Sequence, residues 1–262
     1  MRIFAFFLLF IFCAFSEGDL KPVKKLPLAG VQFTTDPMGN LYVMKNERID
    51  KYDRDGNLQR SFSDKTAGEI SSVDATNLLR IVLFYRNFSQ VAFLDNTMSL
   101  NGSPVRLQDL GFAQATLVCN SYDNALWLYD QQNFELVRLQ NNLQVSHRTG
   151  NLAQQLNVEL QPAFLLESGN RLFLNNPSTG ILVFDVFGTY YKTIPVKGLK
   201  NFQVNGDVIF YFANGGLNSY HLGTQEEGKL ALADSTLRAV RMEKERLYFQ
   251  RDSTIEIYQS GN

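Results

Sequence analysis

The chain has 262 residues, 45% of them apolar and 19% charged, which is enough to bury one large core or two small ones and too apolar for a disordered chain. Its 25 Lys and Arg nearly balance 26 Asp and Glu, for a formal charge of -1, so the basic face that a nucleic-acid binder needs is excluded. Two Cys and two His leave little material for zinc or thiol chemistry.

Residues 3–15 (IFAFFLLFIFCAF) are apolar without a break, behind Arg2 and ahead of Ser16, Glu17 and Gly18. At roughly 1.5 Å per helical residue this run is too short for a hydrocarbon core of about 30 Å, so it reads as a signal peptide and not as an anchor. Ala14 and Ser16 offer small side chains for cleavage before Glu17, which gives a signal peptide over 1–16 and one domain over 17–262. A lipid on Cys13 is disfavoured by the bulky Phe12 before it. The expected location is the periplasm or the outer membrane, with secretion as the alternative. Cleavage leaves Cys119 as the single cysteine, so the exported domain must rest on burial and hydrogen-bond ladders without a disulfide. Cys119, inside ATLVCN, is expected to be a buried small hydrophobe.

One unit then recurs six times: an apolar strand, a short polar turn and a second strand. The copies are LYVMKNERIDKYD from Leu41, IVLFYRNFSQVAFLD from Ile81, LWLYDQQNFELVRLQ from Leu126, LFLNNPSTGILVFDV from Leu172, IFYFANGGLNSYHLG from Ile209 and LYFQRDSTIEIYQSG from Leu247. Their starts are 40, 45, 46, 37 and 38 residues apart, which suits a repeat of four short strands. Another apolar stretch precedes each hairpin, as in VQFTTD and ATLVCN, and a more polar strand follows, as in NLQRSFS and TYYKTIPV. Gly, Asn and Asp between them supply the turns. The middle strands are almost continuously apolar, so both of their faces must be covered. Blades of a propeller meet that demand, whereas a sandwich leaves one face of each sheet wet. The expected fold is therefore all-β, a six-bladed β-propeller of four-stranded antiparallel blades.

The sixth copy stops after three strands. Residues 20–28 (LKPVKKLPL) belong to no copy and are expected to supply its missing outer strand, closing the ring. Pro22 and Pro27 are tolerable there because an outermost strand has one neighbour only.

The phrases DPMGNLYVMKNERIDKYDRDGNL and SGNRLFLNNPSTGILVFDVFG resemble NHL-type six-bladed propellers, whose repeats carry a D-x-x-G-N step and a strand ending near Y/F-D-x-x-G. The resemblance covers about residues 30–260. It implies the propeller fold and a habit of binding partners, since one fold hosts many functions. WD40 and kelch marks are absent from the sequence. The Phe-rich leader and slim blades also resemble envelope propellers of bacteria with a type IX secretion system, some of which accompany its outer-membrane translocon.

No catalytic motif emerges. His147 lies in an outer-strand pattern and His221 in a third strand, and neither stands beside a nucleophile elbow. Some propellers resembling lactonases hold calcium in the central channel, so first-strand ligands matter; the candidates Asp74, Glu167 and Asn201 form no recognisable set. Asp53-Arg54-Asp55-Gly56-Asn57 resembles the start of a calcium loop but has Leu58 at its sixth position and Asp64 at its twelfth, so a hairpin turn is the expectation. No cofactor or metal is expected. Asn87-Phe88-Ser89 and Asn101-Gly102-Ser103 are glycan acceptor strings that matter only in a eukaryotic source.

The expected function is therefore a non-enzymatic module that binds another protein in the cell envelope, with a divalent-metal-dependent lactonase-like hydrolase as the alternative and small-ligand or glycan binding as a further option. Turns between second and third strands emerge together on one face of a propeller. Lys45, Arg86, Phe88, Gln132, Phe134 and Arg251 lie on those turns and are the candidate partner-binding residues. Phe88 and Phe134 either face the partner or fold back onto the blade edges. Leu152 and Leu156, spaced for one helical turn in the connection from Thr149 to Gln161, should extend the same face.

Overall fold

The computed structural model describes residues 20–260 apart from Ala233. The expected signal peptide and Cys13 lie outside the described residues. The first strand, β1 (Leu20–Leu26), is followed by blade one, formed by β2 (Gln32–Thr35), β3 (Leu41–Lys45), β4 (Arg48–Tyr52) and β5 (Leu58–Ser63). Blade two holds β6 (Ser72–Asp74), β7 (Ile81–Tyr85), β8 (Gln90–Leu94) and β9 (Val105–Arg106), and blade three holds β10 (Ala115–Asn120), β11 (Leu126–Asp130), β12 (Glu135–Leu139) and β13 (Val145–Arg148). A short helix, α1 (Leu152–Leu156), leads to blade four: β14 (Phe164–Ser168), β15 (Arg171–Asn176), β16 (Gly180–Asp185) and β17 (Tyr190–Ile194). Blade five is β18 (Gln203–Asn205), β19 (Val208–Ala213), β20 (Gly216–His221) and β21 (Glu227–Ala231). Blade six takes β22 (Ala239–Glu243), β23 (Arg246–Gln250) and β24 (Ile255–Ser260) from the end of the chain, and its fourth strand is β1. The protein is an all-β, six-bladed propeller.

The continuous apolar runs follow from side chains that alternate between two covered faces. In β7, Ile81, Leu83 and Tyr85 pack toward blade one, while Val82 and Phe84 pack toward blade three. In β11 the same alternation sends Leu126 and Leu128 toward blade two, and Trp127 and Tyr129 toward blade four. In β15, Leu172 and Leu174 face blade three and Phe173 faces blade five. Each interface between neighbouring blades thus has its own hydrophobic cluster, and the interface between blades six and one is no exception. Cys119 is fully buried in the interface of blades three and four, where burial pushes its thiol up, as expected of a small hydrophobe.

Turn chemistry repeats as well. Asp36, Asp53, Asp95 and Asp185 each accept from the backbone N–H groups two and four residues on, at 2.8–3.0 Å, which ties off the tight turn. The Asp53 string is such a turn. Beside it Gly56 (φ +80) is required, because a Cβ there would lie 3.0 Å from Ile257 and Lys24.

Closure depends on β1. It pairs antiparallel with β24 from Leu20 opposite Ser260 to Leu26 opposite Ile255, with a bulge between Pro22 and Lys24. Leu26 is buried, and Val23 and Leu28 pack against the cluster shared by blades six and one. Lys25 pairs with Glu256 at 2.8 Å, and Lys24 reaches Asn57 of blade one at 2.8 Å. Deleting residues 20–28 strips one edge of β24. At about 1 kcal/mol per ladder hydrogen bond and roughly 2–4 °C per kcal/mol for a domain of this size, Tm should fall by roughly 10–20 °C. Scanning calorimetry of the deletion variant checks this, and light scattering should show it associating through the open edge.

Candidate functional site

The two ends of the propeller differ in what they present. Connections between blades hydrogen-bond to the turns between second and third strands: Ile70 N to Asn46 O, Leu107 N to Ser89 O, Leu152 N to Phe134 O, Gly198 N to Pro177 O and Leu232 N to Gly215 O. These features share one end, the hairpin face. Turns joining first to second and third to fourth strands form the opposite end, the turn face.

All six candidate partner-binding residues lie on the hairpin face, in four different states of engagement. Lys45 and Gln132 are exposed, with Lys45 donating to Ala29 O at 3.3 Å. Arg86 is exposed and stands at the channel. Phe88 is 55% exposed, yet its ring rests on Gly68, where a Cβ would come within 2.7 Å of it. Phe134 is half-buried and folds back onto the cluster of blades three and four, beneath Leu156 of α1. Arg251 is bound to Asp234, to Glu256 at 2.5 Å and to Thr236 at 3.1 Å. Phe134 and Arg251 are therefore committed to the fold.

Exposed apolar side chains gather elsewhere. Of the ten large hydrophobics exposed among the described residues, Phe88 alone belongs to the hairpin face. Met38, Leu79 and Tyr122 sit on turns from first to second strands, and Leu58, Leu100, Val145, Phe187, Tyr190 and Tyr191 lie on or just beyond connections from third to fourth strands. Half of the ten are on blades three and four. There Tyr191 is 73% exposed and Phe187 57% exposed. The Phe187 ring of blade four lies 5.5 Å from that of His147 on β13 of blade three, and within blade three the Arg138 guanidinium stacks 4.1 Å from the Tyr122 ring. Sequence reasoning overlooked this surface; the pair Tyr190-Tyr191 directly after a Gly-Thr turn was the available signal.

The first-strand carboxylates are occupied by neighbouring blades. Asp74 accepts from Asn120 N at 2.7 Å and from Thr76 N at 2.9 Å. Glu167 accepts from Ser121 Oγ at 2.6 Å, Tyr122 N at 2.8 Å and Trp127 Nε1 at 2.8 Å, so it clamps blade three to blade four. Glu243 accepts from Thr35 Oγ1 of blade one at 3.0 Å and Gln203 Nε2 of blade five at 2.7 Å, and burial raises its carboxyl above the ordinary range. Asn201 precedes β18 and is exposed. Both histidines stand where the strand pattern placed them: His147 Nδ1 lies 3.1 Å from Ser146 Oγ, and His221 Nδ1 accepts from Gly223 N and Thr224 N. Among the described residues no group of three His, Cys, Asp or Glu is placed to hold a metal ion.

Glu167→Ala would leave the buried Trp127 N–H and Ser121 hydroxyl without an acceptor, at a cost of about 2 kcal/mol. Urea unfolding followed by the fluorescence of Trp127, the one tryptophan of the chain, measures the loss.

No family model matches the chain, and no curated protein matches it. Solved structures share its fold. The WD40 domain of Neurospora crassa Pan2 is 8% identical, with 93% of this chain and 96% of that one covered at a TM-score of 0.65. A streptogramin B lyase is 15% identical, with 93% and 87% covered at 0.58. A catalytically inactive virginiamycin B lyase from Staphylococcus aureus with quinupristin is 12% identical, with 88% and 80% covered at 0.59. At such identities the likeness is one of fold: this chain is built as those β-propellers are.

Proposed function

We propose that the chain is an exported, non-enzymatic β-propeller that serves as a protein-binding module or accessory subunit in the cell envelope. The observation that carries this is the aromatic surface on the turn face of blades three and four. Exposed Tyr and Phe side chains have the composition of interface cores, because ring area desolvates at low entropic cost. The protein-binding habit of the propeller fold supports it, as does the occupation of the channel carboxylates by internal donors. Export rests on the apolar run over 3–15, and an outer-membrane secretion assembly is the proposed setting. The NHL-like steps of the repeats belong to the same proposal. The hairpin face, with Lys45, Arg86, Phe88 and Gln132 open, is the second candidate docking surface.

Photo-cross-linking in the native cell tests both faces. A photoreactive amino acid at Tyr191 or Phe187 should give one adduct of fixed mass with an envelope protein, and the same label at Phe88 should give none. Adducts confined to Phe88 would assign docking to the hairpin face. No discrete protein adduct from either face would overturn the protein-binding function.

A further inference from the structure

The central channel is electrically divided. Its cavity toward the turn face, about 600 Å³, is lined by the carboxylates of Asp74, Glu167 and Glu243, with Arg86 also in its lining. Its cavity toward the hairpin face, about 610 Å³, has Lys200, Arg238 and Arg241 as its charged lining residues and no carboxylate. Arg241 lines both and so stands where they meet.

Arg241 is also incompletely partnered. Its Nε donates to Thr35 Oγ1 at 3.0 Å. Its two Nη groups have no hydrogen-bond or ion-pair partner among the described residues. Burial pulls the guanidinium down to about 10, while Glu243 and Asp74 oppose that fall, so it stays charged at neutral pH. A guanidinium with its Nε engaged still presents the Nη pair as a fork that fits the two oxygens of a carboxylate. Around this floor Val73, Ala163, Phe164 and Phe212 give apolar surface, interrupted by the polar Gln32, Thr34, Ser71, Ser72, Asn201 and Gln250. Lys200 is exposed at the lip and makes no side-chain hydrogen bond among the described residues, whereas Arg238 is held by Asp252 at 2.7 and 3.0 Å.

We infer that the hairpin-face cavity binds an organic carboxylate, its two oxygens on the Nη fork of Arg241 and its apolar body against Phe164 and Phe212. The volume suits a small ligand, and the lining offers apolar surface for its body beside cationic groups for its acid end. A small organic acid and the free C-terminus of an extended peptide carry this chemistry equally. The inference does not depend on the docking surface of the turn face.

Calorimetric titration decides it with four probes on the full mature chain: 3-phenylpropionate, 3-phenylpropionamide, and the peptide Ala-Ala-Phe with a free or an amidated C-terminus. One or both carboxylates should bind saturably and their amides at least tenfold more weakly. Binding by the free peptide alone would assign the site to peptide C-termini, and binding by the small acid would assign it to small ligands. Arg241→Gln should reduce affinity at least tenfold, and Lys200→Gln, at the exposed lip, severalfold. Equal binding of acid and amide, unchanged affinity in folded Arg241→Gln, or no saturable binding of either carboxylate would overturn the inference. The acid-against-amide comparison needs the wild-type chain only, so it stands even where Arg241→Gln does not fold.

Discussion

A ring of sheets has no beginning, but a polypeptide has, and the structure depends on how its first and last strands meet in one sheet. The third strand of the last blade, β24, buries Ile255 and Ile257 completely and would otherwise offer a flat, unpaired edge. β1 covers that edge. The seam it completes is continued by polar links from blade six to blade one: Tyr248 OH donates to Gly39 O at 2.5 Å, Gln250 Nε2 to Val31 O at 2.6 Å, and Arg246 pairs with Asp55 at 2.7 Å. Links between the first and last blades therefore span almost the whole chain, and the six interfaces can only be satisfied together.

Once the ring is closed, the chemistry of the molecule is confined. The faces of the middle strands are used mostly by blade packing, and polar residues buried there, such as Glu135, Arg138 and Asn175, are held by internal partners; the other polar side chains lie on the first strands, the outer strands and the turns. In the first strands most of them stitch blades together, as Glu167 does for blades three and four and Gln203 with Glu243 for blades five and six. What remains free to act is small: the aromatic turn face of blades three and four, the open positions of the hairpin face, and Arg241 with Lys200 in the channel. Binding fits that inventory, since each of these groups recognises a partner by area or charge.

The fold was legible because it is periodic. Continuous apolar runs signal two covered faces, Gly and Asp mark the turns, and a sixth copy short of one strand implies that LKPVKKLPL supplies it. The short helix at Leu152–Leu156 was legible from its spacing too. The site was less so, because exposure depends on neighbours distant in sequence. Phe134 takes a left-handed backbone (φ 55) and turns inward beneath a helix that begins 18 positions later. Arg251 looks free in a turn, but Asp234, 17 positions away, comes to meet it. Trp127 and Glu167 are 40 residues apart and meet only because their repeats form adjacent blades. Tyr190 and Tyr191 point to opposite sides of an outer strand; Tyr190 leans on Phe184 at 5.8 Å, while Tyr191 stays 73% exposed.

Native-state hydrogen exchange along β24 tests the closure most directly, because the amides of this strand point alternately at β23 and at β1. If β1 closes the ring, both sets should be protected to a similar degree and should exchange through the same cooperative opening as the middle strands of blade three. Rapid exchange of the amides that point at β1, with those that point at β23 still protected, would show a blade of three strands and contradict the account.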